Sequence, residues 1–204
     1  TGEFNTSLGS QSMGTGVTTG DSNVAIGYKA AQALTSGGSN IIIGELAGAN
    51  AAATSNNIAI GYKSLFTENN HGKNTAVGHE SLQTLRAGVD GYNVAVGYNA
   101  GKSVTTGTNN TAVGTGVSIT GSYNTAVGRF AIGSGATTGS YNTALGYYSG
   151  RLLTSGGSNI LLGGYAGSSI TIGQNNVAVG MQALSTSVDG DHNTAVGYQA
   201  LKDY

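Results

Sequence analysis

Large aliphatic residues occur along this chain in short alternating bursts, never in long runs. Each burst sits in a five-residue unit, Asn–x–small–aliphatic–Gly, that begins at Asn5, Asn23, Asn40, Asn57, Asn74, Asn93, Asn110, Asn124, Asn142, Asn159, Asn176 and Asn193. Successive units are 18, 17, 17, 17, 19, 17, 14, 18, 17, 17 and 17 residues apart. A second column, seven residues after each Asn, holds only Ser, Ala or Val. Self-similarity at such a period is the mark of stacked structural repeats. It predicts an all-β chain folded as a parallel β-solenoid, or β-roll, of about twelve coils.

The unit explains the coil locally. Asn74-Thr75-Ala76-Val77 is long enough for a short strand, and Gly78 ends it, because Gly takes positive φ where the path turns a corner. Asn opens the strand because it tolerates left-handed geometry and hydrogen-bonds nearby backbone. Stacking would set Asn23, Asn40, Asn57, Asn74, Asn93, Asn110, Asn124, Asn142, Asn159, Asn176 and Asn193 in a ladder, each amide bonding to the next. A helix is excluded, since frequent Gly costs about 1 kcal/mol per residue relative to Ala and no 3.6-residue apolar period exists.

The two faces of the strand differ. The fourth position is Val, Ile or Leu in every unit, and the second is Thr, Val or Ile. Strand side chains alternate, so these two positions share a face, which is expected to fill the coil interior. The third position points the other way, yet it is Ala25, Ala59, Ala76, Ala95, Ala112, Ala126, Ala144, Ala178 and Ala195, with Ser7, Ile42 and Leu161 completing the column. No charge appears on either face, and sheets covered on both sides read as apolar on both. The alanine column is therefore expected to be a subunit interface, making the protein a homo-oligomer.

A longer period overlies the short one. Residues 1–85 align without a gap onto 120–204, an offset of 119. Leu34-Thr35-Ser36-Gly37-Gly38-Ser39-Asn40 returns as Leu153-Thr154-Ser155-Gly156-Gly157-Ser158-Asn159. The expectation is a single β-solenoid over 1–204, in which a seven-coil block, 1–119, is partly repeated as 120–204. Such duplication is what a segment of a longer fibre would carry.

Composition narrows the function classes. Of 204 residues, 36 are Gly and none is Pro or Cys, and charged residues make up 8% against about 25% in a typical soluble domain. Collagen requires Gly at every third position with abundant Pro, and neither condition holds. Eight dispersed Lys and Arg against nine Asp and Glu give no electrostatic footprint for nucleic acid. No apolar run approaches the ~20 residues of a membrane helix, so no membrane insertion is expected. The absence of Cys removes disulfides and thiolate metal ligands.

Asn-Thr-Ala-Val-Gly-Tyr-Gln-Ala-Leu at 193–201, with Asn74 to Leu82 and Asn57 to Leu65, resembles the repeats of bacteriophage tail-fibre shafts. Asn23-Val24-Ala25-Ile26-Gly27 and Asn57-Ile58-Ala59-Ile60-Gly61 are similar to the head repeats of trimeric autotransporter adhesins. The resemblance spans essentially the whole chain. It implies a homotrimer of left-handed parallel β-rolls, extracellular, on a virion or a bacterial surface, engaged in attachment to a cell-surface glycan or protein receptor. The coils here are longer than the adhesin-head repeat, and no coiled-coil stalk, anchor or chaperone domain accompanies them.

Aligning residues by their place in the coil gathers distant ones. Tyr62, His79 and Tyr98 fall one step after the Gly on three consecutive coils, and Phe130, Tyr148 and Tyr165 fall two steps after it. Tyr123 and Tyr141 align just before the Asn. Such columns suit first the shielding and stiffening of the coil stack, and second stacking on the sugar rings of a surface glycan. Lys63 and Glu80 share a coil position and are expected to pair at the surface. Glu3 and Asp21 would bring two carboxylates together, the arrangement used in glycoside hydrolysis, but in the least regular coils and with no accompanying acid. Asp189, Asp191 and His192 hint at a cation without the ordered acidic series of a calcium loop. His71, His79 and His192 occupy different coil positions, so no zinc site is expected. Nothing resembles a phosphate loop or a nucleophile elbow.

The sequence thus points to a structural and adhesive fibre shaft, without cofactors, metals or enzymatic activity. The head of a surface adhesin is the nearest alternative. A fibre-borne glycan depolymerase is the alternative of another class, and an ice-binding solenoid ranks last because regular Thr-x-Thr ranks are missing.

Overall fold

The computed structural model describes residues 2–14, 16–68, 70–133 and 137–203. The chain divides into two compact units, Thr1–Thr108 and Asn109–Tyr204. The division lies eleven residues before the end of the duplicated block at 119. Each unit is an all-β parallel solenoid, with no helix among the described residues.

In the first unit six three-residue strands, β1 (Thr6–Leu8), β2 (Val24–Ile26), β3 (Ile41–Ile43), β4 (Ile58–Ile60), β5 (Thr75–Val77) and β6 (Val94–Val96), lie side by side in chain order. All neighbours are parallel and in register, Ala25 opposite Ile42 and Ala76 opposite Ala95, for example. The second unit repeats the plan with β7 (Thr111–Val113), β8 (Thr125–Val127), β9 (Thr143–Leu145), β10 (Ile160–Leu162), β11 (Val177–Val179) and β12 (Thr194–Val196). Here Ala126 sits opposite Ala144, and Leu161 opposite Ala178. One strand per coil, joined to the next in order, is the topology of a solenoid, where each repeat contacts only its neighbours.

The structure reverses the inside and outside faces expected from the sequence. Ala25, Ala59, Ala76, Ala95, Ala126, Ala144 and Ala178 are fully buried within a single chain, and Ala112 and Ala195 are 2% exposed. These alanines line the coil interior, so they are not available as a subunit interface. The second and fourth strand positions point outward: Ile41 is 41% exposed, Val96 37%, Leu145 40% and Ile160 43%. Alternation places positions two and four opposite position three but leaves open which side is inside. The rest of the coil settles the matter. Leu34, Leu65, Leu82, Leu85, Ile119, Ile132, Leu153, Ile170 and Leu184, all contributed by the turns, are buried at 1% exposure or less. They fill the narrow interior from the far wall, and a methyl is all that most strands can add.

Buried polar groups are satisfied by a repeating ladder. Asn142 Nδ2 donates to Asn124 Oδ1 (3.1 Å) and to the Gly156 carbonyl (3.0 Å) of the following coil. Its Oδ1 accepts the Asn159 backbone N–H (3.1 Å) and Asn159 Nδ2 (3.0 Å). The same pattern joins Asn159, Asn176 and Asn193, and Asn110 to Asn124 through the backbone N–H. In the first unit it joins Asn5, Asn23, Asn40, Asn57, Asn74 and Asn93. The coil with the charged turn departs from it: Asn57 Nδ2 has no hydrogen-bond partner, and Asn74 Nδ2 turns to Gly72 of its own coil. There the buried Glu68 carboxylate accepts the backbone N–H groups of His71 (3.2 Å) and Ala87 (3.2 Å).

The Gly that closes each strand is dictated by geometry. Gly146 has φ 139°, and a Cβ there would stand 2.6 Å from the Gly163 carbonyl oxygen of the next coil. No side chain fits that approach; after β12 no further coil supplies the carbonyl, and Gly197 keeps the same positive φ, 128°.

Candidate functional site: the aromatic columns

The two residues after each closing Gly leave the sheet and face solvent. The second of them is left-handed, with φ 53° at Phe130, 57° at Tyr148 and 59° at Tyr165. Its N–H donates to the residue one step after the Gly in the preceding coil: Tyr148 to Arg129 (3.1 Å), Tyr165 to Tyr147 (2.8 Å). Backbone bonding between coils therefore holds the side chains in columns at the coil spacing. Left-handed φ is sparsely populated by non-Gly residues, and these bonds, recurring in coil after coil, are what sustain it.

The predicted ring columns are in contact. In the first unit Tyr62 and His79 have centroids 5.0 Å apart, and His79 and Tyr98 5.1 Å. In the second, Phe130 and Tyr148 stack at 5.6 Å and 8°, and Tyr148 and Tyr165 meet at 5.5 Å. Tyr123 and Tyr141 lie parallel at 5.0 Å. Tyr98, Tyr123 and Tyr141 are more than half exposed.

Sequence reasoning missed what surrounds these columns. Tyr147 packs edge-on to Tyr148 at 4.2 Å and to Tyr165 at 5.4 Å. The Arg129 guanidinium lies over Phe130 (4.8 Å) and Tyr147 (5.8 Å), and Arg151 lies over Tyr148 (5.3 Å). The signal was present, since Arg129 and Tyr147 occupy the same position on consecutive coils and Arg151 follows Tyr148 by three residues.

The charged residues are rearranged from the sequence expectation. Glu80 pairs with Lys102 at 2.5 Å, whereas Lys63 sits over the Tyr62 and Phe66 rings at 5.1 and 5.8 Å. The Lys102 hydrogen bond holds the Glu80 carboxyl below its usual range. Lys73 bridges Asp90 (2.7 Å) and the Tyr92 hydroxyl (2.9 Å). Those bonds raise the Lys73 ammonium, and the same ammonium, followed by the Gly72 N–H, lowers the Asp90 carboxyl.

The other candidate groups bond to backbone and side chains of the neighbouring coil. Asp21 Oδ1 accepts the Glu3 N–H at 2.7 Å. Asp191 Oδ1 accepts the Gln174 N–H (2.6 Å), Asp189 Oδ1 accepts the Thr171 hydroxyl (3.1 Å), and the His192 ring reaches Asn175 (3.4 Å). Among the described residues there is no group of three or more His, Asp or Glu that could hold a metal, no pocket, and no helix long and apolar enough to cross a membrane. The chain matches no family model, no curated protein and no solved structure.

Proposed function

We propose that this chain is a structural and adhesive shaft segment of an extracellular homotrimeric fibre, of the bacteriophage tail-fibre kind, acting in attachment to a host surface. In this reading three left-handed coil stacks associate through the outward strand face, and the aromatic columns contact a cell-surface glycan. The observation that carries it is the outward face itself. In each unit positions two and four present only Thr, Val, Ile and Leu, with no charge in any coil. Val94, Val96, Val127 and Leu145 stand 37–40% exposed there. Contiguous exposed apolar surface of this kind marks an interaction site, and its coil-by-coil repetition suits a partner with the same repeat. The resemblance of Asn193 to Leu201 to fibre-shaft repeats gives the biological setting.

Light scattering on the purified chain tests the reading. The expected result is a species with three times the chain mass, resistant to dilution. A well-folded single chain at every concentration overturns it.

A further inference from the structure

We infer that the break in the second unit's tyrosine column, at Ser158, is a seat for one neutral hexopyranose ring. Tyr141 stacks on the apolar face of the sugar, and Ser158 and Asn175 bond its hydroxyls. The inference rests on the glycan reading of the aromatic columns and adds the place and charge class of the sugar.

The order of the column carries it first. The residue before each ladder Asn donates its N–H to the preceding coil: Tyr141 to Ser122 (3.2 Å), Ser158 to Ser140 (3.0 Å), Asn175 to Gly157 (3.1 Å). Tyr123, Tyr141, Ser158 and Asn175 therefore follow one another a coil at a time. The Tyr123 and Tyr141 rings are parallel within 1° at 5.0 Å, close to the ~4.8 Å strand spacing, so they stack along the coil axis. Tyr123 covers one face of Tyr141. The other face looks along the column over Ser158, whose neighbour Gly157 adds no side chain. Tyr141 is 63% exposed, and its one ring contact among the described residues is with Tyr123. Two coil steps, about 10 Å, separate Tyr141 from Asn175, room for one more ring at the step the tyrosines keep.

The chemistry of the gap selects a sugar. Asn175 Nδ2 lies 3.4 Å from His192 Nε2, whereas Asn175 Oδ1 and the exposed Ser158 hydroxyl carry no hydrogen bond among the described residues. A ring face on one side and free amide and hydroxyl oxygens on the other suit a pyranose, while an aromatic ligand would leave the polar side unanswered. The two positions before each ladder Asn hold no charged residue from Ser122 to Asn175, which favours a neutral ring. The first unit supplies the contrast. There, 119 residues earlier, Ser39 and Asn56 are kept, but Ser22 stands in place of Tyr141.

The test is calorimetric titration of the whole chain with methyl β-galactopyranoside, whose C3, C4 and C5 hydrogens form one apolar face. Circular dichroism confirms that each variant is folded. One site per chain is expected. Tyr141→Ser should weaken binding about tenfold, and Asn175→Ala about threefold or more. Ser158→Tyr should close the seat and abolish binding, since its φ of 58° matches the 60° and 63° of Tyr123 and Tyr141. An array of neutral and acidic oligosaccharides is probed alongside. No binding of the galactoside, binding indifferent to Tyr141→Ser and Ser158→Tyr, or equal occupancy by N-acetyltyrosinamide overturns the inference. The glycan reading stands in each case if the array is bound, and silence of the array overturns both.

Discussion

The Cβ that Gly167 lacks would stand 2.6 Å from Leu161 Cδ2, so the bulk of one is accommodated by the emptiness of the other. Leu161 replaces the usual Ala at the third strand position, and Gly167 faces it across the same coil. Ile42 and Gly48 repeat the arrangement, with a would-be Cβ 3.0 Å from Ile42 Cδ1. The two pairs are related by the 119-residue offset, since 161 − 42 and 167 − 48 both equal 119. Where the strand offers Ala59, Ala76 or Ala126, the facing residue is Leu65, Leu82 or Ile132. In these coils the bulk sits on one wall or the other, whereas Ala95 faces Gly101 and Ala144 faces Gly150, and there Leu82 and Leu161 of neighbouring coils reach in.

A double-mutant cycle should read this coupling. Leu161→Ala alone is expected to cost about 2–5 kcal/mol as a core cavity. Gly167→Ala alone should cost about 1–3 kcal/mol through overpacking. The double variant recreates the Ala25 and Ala31 pair of β2's coil, where Ala31 adopts φ 49°. It should be more stable than the two single costs predict by about 0.5–3 kcal/mol. Urea midpoints of the four proteins give the coupling, and strict additivity would refute it.

The two strand faces should respond oppositely to charge. Ala95→Lys places an ammonium in the coil interior and should abolish folding, as unpaired buried charges do. Val96→Lys, one residue on and 37% exposed, should leave the secondary structure intact and dissociate the assembly. Circular dichroism and light scattering on both variants make the comparison. Dissociation by neither variant argues against association through the outward face.

The asparagine ladder is unequal along its length. Asn142→Asp turns a donor of two bonds into an acceptor facing Asn124 Oδ1 and the Gly156 carbonyl, and should cost about 2–4 kcal/mol from groups left unsatisfied. Asn57 Nδ2 has no partner to lose. Asn57→Asp should therefore be the milder change, while keeping the Oδ1 contact from the Asn74 N–H. Equal losses in thermal midpoint would contradict this account.

Acid should weaken the first unit selectively. Glu80 and Asp90 are both held below their ordinary values of 4.5 and 3.8, by Lys102 and Lys73 respectively. The unfolded chain takes up protons first, so the contribution of these pairs is whole above the ordinary values. It declines as pH falls below them and is gone once the depressed values are passed. The pairs lie at the surface, so the effect is modest. A Glu80→Gln, Asp90→Asn variant should lose less stability between pH 7 and pH 3 than the parent, as followed by urea midpoints.

Much of the coil was legible because its constraints are local. Asn40 and Gly44 announce the start and end of β3 by what their backbones must do. The period brings Tyr148 above Phe130 without any knowledge of the far wall. The inside and outside of the strand were not legible, because Ala144 and Leu145 are distinguished only by what lies across the coil. Leu153 and Leu184, which fill that space, sit in turns whose path no local pattern specifies. Arg129 and Arg151 escape a search for columns of rings alone, although Arg129 shares the coil position of Tyr147 and Arg151 follows Tyr148 by three residues.

The left-handed turn after each strand has an evolutionary consequence. Its shape is maintained by main-chain bonding from one coil to the next, and its residues already include Lys29, Lys63, Glu80, Asn99, Phe130, Tyr148 and Gln182 at φ between 50° and 60°. Chemistry can thus be exchanged at this site by single codon changes, or whole coils shuffled by recombination, while the chassis is untouched. A lineage under pressure to recognise a changing surface would have a printed row of interchangeable type, set on a frame that does not need recasting.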